Sequence, residues 1–374
     1  MSLAAGRSVV VLNTSASWGG NEHWAVQLAA GLRDRGARVT FCWSHAVVGD
    51  RVRDAGLVGR RLRARGDLDL PAILELRRIL VAERAQAVVA TRWREYLHAG
   101  VASRLAGRPR VVLRLGLQGV PRRDLKRRLI FRLADRVLVN APEIRESLAR
   151  SGWIDPSKLV VVLNGLDLAA WPPRWDPAAV RSGRALRDEL RIPLDAPLVL
   201  AVGAFSPQKD FAGLLAAVAL VRDRRPDLKV LILGDGPLRA ELLAERSRLR
   251  LDQVVLLPGF RRDVPAAMAA ADLFVLSSRN EGMARVLIEA AASGLPAVAT
   301  DVSGTRLAVR DGTTGVVVPP GDPAGLADAV DGLLGRPERR QAMGRAGRDL
   351  AARSFVETRM LDEAIGVLFG PGAE

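Results

Sequence analysis

Short, continuously apolar, β-branched runs alternate with longer amphipathic stretches along the chain, and the alternation breaks off once and then restarts. The first series is SVVVLNTS (8–15), RVTFCWS (38–44), AVVATR (87–92), RVVLRL (110–115), RVLVNA (136–141) and LVVVLNG (159–165). Between these runs, EHWAVQLAAGLRDRG and LPAILELRRILVAERA repeat apolar positions at helical spacing. A strand that is apolar on both faces must be covered on both. Strands separated by helices return in the same direction, so the pattern predicts a parallel sheet. The segment LAAWPPRWDPAA (168–179) has neither period and reads as a linker. The alternation then resumes with PLVLAVGA, LKVLILGDGP, VVLLPGF, LFVLSS, PAVAT and GVVVPPGD. The expected class is α/β, with two doubly wound parallel sheets in domains 1–178 and 179–354. At 374 residues the chain is long enough for two cores. The stretch VETRMLDEAIGVLF predicts a helix in 355–374, expected to pack back onto the first domain.

Composition narrows the function classes. A single cysteine, Cys42, excludes an intrachain disulfide framework and a cysteine-based zinc cluster, and suits a cytoplasmic chain. The apolar run near the N-terminus is too short for a signal peptide, and no stretch approaches the ~20 apolar residues of a membrane span. The net charge of +15 is one-sided: residues 1–180 carry 30 Lys/Arg against 16 Asp/Glu, and residues 181–374 carry 26 against 25. Genome composition can favour Arg everywhere, but it does not produce such an asymmetry. A basic first half suits an anionic partner, either a membrane surface, nucleic acid or a phosphorylated substrate, or else is a solvated surface.

In open parallel sheets ligands bind beyond the carboxyl ends of the strands, so the residues that follow each strand matter most. After the first strand, SWGGNEHW (17–24) offers Gly19 and Gly20 for close backbone approach, followed by a helix N-terminus that suits an anion. Neither a G-x-G-x-x-G fingerprint nor a Walker A sequence occurs. In the second series LVLAVGAFSPQKDFAGLLAAV (198–218) puts Lys209 soon after a strand, where an ammonium suits a diphosphate or simply solvent. RNEGMARVLIEAAASGLP (279–296) follows the strand LFVLSS. It carries Glu281 in a loop, the backbone of Gly282, Met283, Ala284, Arg285 and Val286 at a helix start, and Glu289 two turns on. A helix start binds phosphate, and carboxylates accept hydrogen bonds from sugar hydroxyls. The same residues also fit a capping Glu281 and an ordinary polar-face Glu289.

Taken in order, the VG…SPQKDF turn, ILGDGPLRAEL, LPGFRRDVPAAMAAADLFVLSS, EGMARVLIEAAASGLPAVATDVSG and DGTTGVVVPPGDP resemble the C-terminal domain of glycosyltransferase family 4, over most of 198–355. The first half resembles its partner domain more loosely through SWGGNE, LADRVLVNAPEIRESL and KLVVVLNGLD. The resemblance implies a GT-B fold, two Rossmann-like domains facing across a cleft, and retaining, metal-independent transfer from a nucleotide-diphosphate sugar, with no cofactor. It implies that Glu281 contacts the donor sugar and acts as an electrostatic and positioning group, and that Glu289 holds the ribose. Lys209 and the backbone at 282–286 would hold the diphosphate, Gly19 and Gly20 would approach it from the other domain, and Arg261 would sit near the nucleobase. Two positions depart from the family pattern: Ala204 stands where an arginine is common, and Gly116 where a histidine is often found. The DLD at 67–69 sits in a polar loop and is not assigned to a metal.

The acceptor is expected on the first domain, as a glycan or lipid-linked envelope molecule. The run VPRRDLKRRLIFRLADR (120–136) sets Arg122, Arg123, Lys126, Arg127 and Arg128 against apolar neighbours at helical spacing. With Arg114, these are the candidates for the acceptor or membrane side, in a cytoplasmic enzyme lying peripherally on the inner face of the membrane. An ordinary surface helix fits the run equally. Acceptors that are small and soluble, an epimerase-like or phosphorylase-like protein of the same fold, and a transferase that has lost activity are the alternatives. A nucleic-acid-binding protein has only net charge in its favour, and no nucleic-acid partner is expected.

Overall fold

The computed structural model describes residues 3–116, 119 and 123–370. The chain forms two compact units: Met1–Gly165 with Glu357–Glu374, and Leu166–Val356.

The first unit runs β1 (Ser8–Asn13), α1 (Gly20–Asp34), β2 (Arg38–Trp43), α2 (Ala46–Asp54), β3 (Gly59–Arg61), α3 (Leu70–Ala82), β4 (Ala87–Ala90), α4 (Trp93–Leu105), β5 (Arg110–Leu115), α5 (Leu125–Leu133), β6 (Arg136–Val139), α6 (Pro142–Arg150) and β7 (Leu159–Val161). The second runs α7 (Pro177–Glu189), β8 (Leu198–Val202), α8 (Phe211–Arg222), β9 (Lys229–Leu233), α9 (Arg239–Arg248), β10 (Val255–Gly259), α10 (Val264–Ala270), β11 (Leu273–Leu276), α11 (Arg285–Ala292), β12 (Ala297–Thr300), α12 (Thr305–Ala308), β13 (Gly315–Val318), α13 (Pro323–Leu334) and α14 (Pro337–Ser354). The final helix, α15 (Glu357–Phe369), belongs to the first unit.

Both sheets are parallel throughout, in the orders β3-β2-β1-β4-β5-β6-β7 and β10-β9-β8-β11-β12-β13. The order reverses between β1 and β4 in one sheet and between β8 and β11 in the other. At such a reversal the flanking helices diverge to opposite faces and leave a crevice at the strands' carboxyl ends. The apolar runs of the sequence supply the central strands, and β1 and β11 are buried along their whole length. The added strand is β3, a three-residue edge, Gly-Arg-Arg, that stays largely exposed. It has no apolar run because an edge strand is not covered on both faces.

Each unit has its own core. In the first, Val9, Val11, Trp24, Leu28, Leu32 and Phe41 pack together with Met360, Leu361, Ala364, Ile365 and Leu368 of α15. A Cβ on Gly31 would lie 2.3 Å from Leu361 Cδ1, so glycine there lets α15 lie against α1. In the second, Val199, Phe205, Phe211, Leu215, Ile232 and Leu273 form the centre. The division falls after Gly165, ahead of the sequence boundary at 178. The Pro/Trp-rich segment is anchored on the second unit: Arg174 donates its backbone N–H to Ser293 O at 2.8 Å, Arg348 holds Trp171 O at 2.5 Å, and Trp175 packs on Gly294.

Candidate functional site

The reversal between β8 and β11 gathers the conspicuous residues of the second unit. Leaving β8, the chain turns at Gly203 and enters a short 3-10 turn, Pro207–Lys209. Asp210 follows in the left-handed region (φ 48°) and caps α8 through Gly213 N. A Cβ on Gly203 would lie 3.0 Å from Lys209 Cε, so glycine leaves room for the lysine stem at the strand end. Gly234, at φ 150°, closes the next turn against it; a Cβ there would sit 1.8 Å from Gly203 O.

From the other side of the crevice, Ser277 and Ser278 leave β11. Ser277 Oγ donates to Lys209 O at 2.8 Å, and Ser278 Oγ donates to Glu281 Oε1 at 2.8 Å. Lys209 Nζ reaches the same Oε1 at 2.5 Å, and Gln208 Nε2 donates to Oε2 at 3.2 Å. Glu281 is thus a buried carboxylate held by an ammonium, a hydroxyl and an amide. Glu289, in α11, is buried too and pairs with Arg285 Nε at 2.9 Å. Burial raises its carboxyl above the usual range, and the charges of Arg285 and then Lys209 oppose the rise. One lysine therefore acts electrostatically on both carboxylates of the E-x7-E pair.

Helix α11 begins without a side-chain cap at Ala284, as a helix start that receives an anion should. Gly304, at φ 72°, brings its loop onto the segment before that start; a Cβ would lie 2.4 Å from Gly282 O. Met283 and Ala284 are buried, and Val286 follows Arg285 in the first turn. Arg261 lies elsewhere in its contacts. Its guanidinium is clamped by Glu189 (2.6 and 2.9 Å) and Asp263 (2.9 and 2.7 Å), which raise its pKa further.

The reversal between β1 and β4 carries a second polar cluster, in the first unit, most of which the sequence reading did not single out. Glu95 is buried and accepts the backbone N–H groups of Thr14, Thr91 (2.8 Å) and Arg92 (3.0 Å), fastening the loop after β1 to the loop after β4. Its carboxyl is pushed up to about 7, because burial outweighs the N–H donors that favour the charged form. Arg92 also pairs with buried Glu22 at 2.5 Å, in the first turn of α1. Gly19 is the extended N-cap of α1, Gly20 its first residue, and a Cβ on Gly20 would meet nothing within 4 Å.

Arg114, at the end of β5, is buried. Its guanidinium donates to Asn21 Oδ1 and to Asn164 Oδ1 (2.9 Å) and lies 4.2 Å over the Trp24 ring. A Cβ on Gly116 would come within 3.1 Å of Arg114 Nη1, so the guanidinium fills the space a side chain at 116 would take. Of the basic run, Arg123 and Arg128 are exposed, Lys126 pairs with Asp67, and Arg127 pairs with Asp124 and lies 5.8 Å over Trp93. Arg122 lies outside the described residues. Asp69 caps α3 through Ala72 N at 3.1 Å, which accounts for the DLD loop. Among the described residues no group of three or more His, Cys, Asp or Glu is placed to hold a metal ion, and no helix is long and apolar enough to cross a membrane.

Residues 18–170 match the model of Glycosyltransferase Family 4, and residues 183–350 match that of Glycosyl transferases group 1. D-inositol 3-phosphate glycosyltransferase of Corynebacterium kroppenstedtii is 35% identical over 229 residues, 59% of this chain and 50% of that protein. Lipopolysaccharide core biosynthesis glycosyltransferase LpsE of Rhizobium meliloti is 29% identical over 241 residues, 64% of this chain and 65% of that one. The chain thus spans half to two-thirds of the length of these curated relatives. Among solved structures, Anabaena Alr3699/HepE in complex with UDP superposes with a TM-score of 0.83 over 96% of this chain and 98% of that one, at 21% identity, a likeness of fold. The chain thus has the GT-B fold, with a region similar to Glycosyltransferase Family 4 in its first Rossmann-like unit and a region similar to Glycosyl transferases group 1 in its second, where the E-x7-E carboxylates lie at the strand reversal.

Proposed function

We propose that this protein transfers a sugar from a nucleotide-diphosphate sugar, with retention and without a metal, to a glycan or lipid-linked acceptor. The observation that carries the reading is the Lys209–Glu281 pair, at 2.5 Å, set beside the uncapped start of α11. A lysine and a helix start together supply the positive charge that a diphosphate needs, the task a divalent ion performs elsewhere. An arriving diphosphate competes with Glu281 for Lys209. Drawing the ammonium away releases a carboxylate oriented by Ser278, which then accepts hydrogen bonds from the donor sugar and stabilises positive charge at its anomeric carbon. The anomeric C–O bond to the diphosphate breaks, a bond to the acceptor oxygen forms on the same face, and the acceptor proton passes to the departing phosphate. Glu289, kept close by Arg285, is assigned to the ribose hydroxyls.

A thermal-shift screen with UDP, GDP, ADP and their sugar conjugates, with magnesium and with EDTA, tests the donor. UDP, the nucleotide in the Anabaena complex, is the first probe. The expected result is a rise in melting temperature with one nucleotide family, unchanged by EDTA, because a ligand that binds only the native state stabilises it by mass action. No rise with any of them removes the reading.

A further inference from the structure

We propose that the turn from β1 into α1 carries a sugar subsite for the acceptor, in which Glu22 accepts hydroxyl hydrogen bonds and Trp18 receives the apolar face of a pyranose ring. Calling that sugar the acceptor rests on the transferase reading; its binding there does not. Glu22 stands in the first turn of α1 with a side chain only 3% exposed. One of its oxygens is satisfied: Oε1 pairs with Arg92 Nη2 at 2.5 Å and accepts Asn13 Nδ2 at 3.4 Å. Among the described residues no hydrogen-bond donor reaches Oε2. An acceptor withdrawn from water is costly to leave without a donor, so an open oxygen on a buried carboxylate calls for a donor from outside the fold.

The way to that oxygen runs past Gly19. This residue is exposed, and a Cβ on it would lie 3.3 Å from Glu22 Oε2. Its backbone is extended, at φ −162° and ψ −166°, a conformation open to any residue. The backbone therefore does not call for glycine at 19. What glycine provides is an open approach from the surface to the carboxylate.

Trp18 precedes that glycine. The Arg51 guanidinium, from α2, lies 5.2 Å over its ring, His23 of α1 meets it edge-on at 6.1 Å, and the residue remains half-buried. Among the described residues no other ring or guanidinium stacks on it. The loop that carries it is fastened: Ser15 Oγ donates to Ser17 O at 2.8 Å and accepts Ser17 N at 3.2 Å, and Arg92 Nη2 donates to the same Ser15 Oγ. The guanidinium that pairs with Glu22 thus also holds the Trp18 loop, and carboxylate and indole belong to one hydrogen-bonded set.

Charge selects the ligand. An ionised carboxylate only accepts, so the ligand must donate to Oε2. A phosphate or carboxylate group would meet its lone pairs, and an ammonium would meet Arg51 and Arg92. A neutral hydroxyl meets neither penalty. An acyl chain would cover the indole but leave Oε2 without a donor. A pyranose has hydroxyls at its rim and C–H groups on its face, so it satisfies the carboxylate and the indole together.

The test is saturation-transfer NMR of the full chain with the methyl glycosides of glucose, galactose and mannose, and with glycerol, which has hydroxyls but no ring face. It uses wild type, E22Q, W18L and W18F, with the melting temperature and the UDP thermal shift followed in parallel. The expected result is transfer to the ring C–H protons of at least one glycoside and not to glycerol. Affinity should fall roughly tenfold in E22Q, the worth of a hydrogen bond to a charged group. It should fall in W18L as well and return in W18F, which restores an aromatic face. Trp18 stands on a half-buried loop, so W18L answers even where E22Q, made in a buried cluster, fails to fold. Three results overturn the proposal: no transfer to any glycoside, equal transfer to glycerol, or transfer that W18L or a folded E22Q leaves unchanged. Glycoside binding that behaves as expected without any UDP shift removes the donor reading and leaves this site standing; a UDP shift without glycoside binding removes this site alone.

Discussion

Two buried carboxylates play opposite parts at the residue scale. Glu281 is compensated by a full ammonium charge, so Glu281→Ala leaves Lys209, whose side chain is 15% exposed, without its counter-ion. Breaking such a buried pair from one side costs about 3 kcal/mol. Under the proposed function, Glu281→Gln keeps the Ser278 contact and most of the packing but removes the charge assigned to stabilising the transition state. Its turnover should fall by ~100- to 1000-fold, the size of losing one preorganised electrostatic group. UDP binding should persist or tighten, since Lys209 is released; a Gln variant with wild-type turnover would remove Glu281 from the chemistry. Glu95 is held by the backbone N–H groups of Thr14, Thr91 and Arg92 and by the Thr91 hydroxyl, and burial pushes its carboxyl up from 4.5 to about 7. The folded state therefore holds this proton more tightly than the unfolded chain. Its contribution is fully present below about pH 4.5 and is lost as pH rises through about 7, to an extent of about 3 kcal/mol. Urea midpoints measured from pH 4.5 to 8 should fall more steeply with pH for wild type than for Glu95→Gln; identical slopes would refute this.

Element-scale structure was legible wherever one physical requirement dominates. Twelve apolar runs became twelve central or flanking strands, because burial on both faces leaves a continuous signature. β3 escaped because two exposed arginines at an edge carry none. The loop–helix segment from Glu281 to Glu289 was legible for its chemistry, but its pairing was not. Lys209 and Glu281 are 72 residues apart, and only the fold brings β8 beside β11. The same holds for Glu95, whose partners include Thr14, and for Arg261, whose clamp by Glu189 depends on where α7 ends. Close approach of elements gives a sharper test. Gly31 lets α15 lie on α1, and in Gly31→Val the new methyl groups must displace Leu361. Overpacking of this kind costs about 2 kcal/mol, so the melting temperature should fall while the UDP response remains. In Gly234→Ala the order of effects should reverse. Its Cβ is aimed at Gly203 O and its φ is 150°, so the turn that supports Lys209 must shift, and nucleotide binding should suffer more than stability.

The whole molecule has two cores that share no residues, one built on β1 and completed by α15, the other built on β8 and β11. The charge follows the same division, since nearly the whole excess of +15 lies in residues 1–180. Two-state unfolding is a property of single cooperative cores, so a calorimetric scan of the chain should resolve two transitions. Gly31→Val should lower only the transition of the first unit. If the donor is a uridine nucleotide, as the proposed function tests first, UDP should raise that of the second, by about 2.7 kcal/mol at a hundredfold excess over its dissociation constant. EDTA should change neither effect if Lys209 and the start of α11 supply the diphosphate's counter-charge. An upward shift that requires magnesium would move that counter-charge from the protein to an ion. A single transition that UDP and Gly31→Val move together would mean that the two cores melt as one, and that donor binding in one unit is felt as stability in the other.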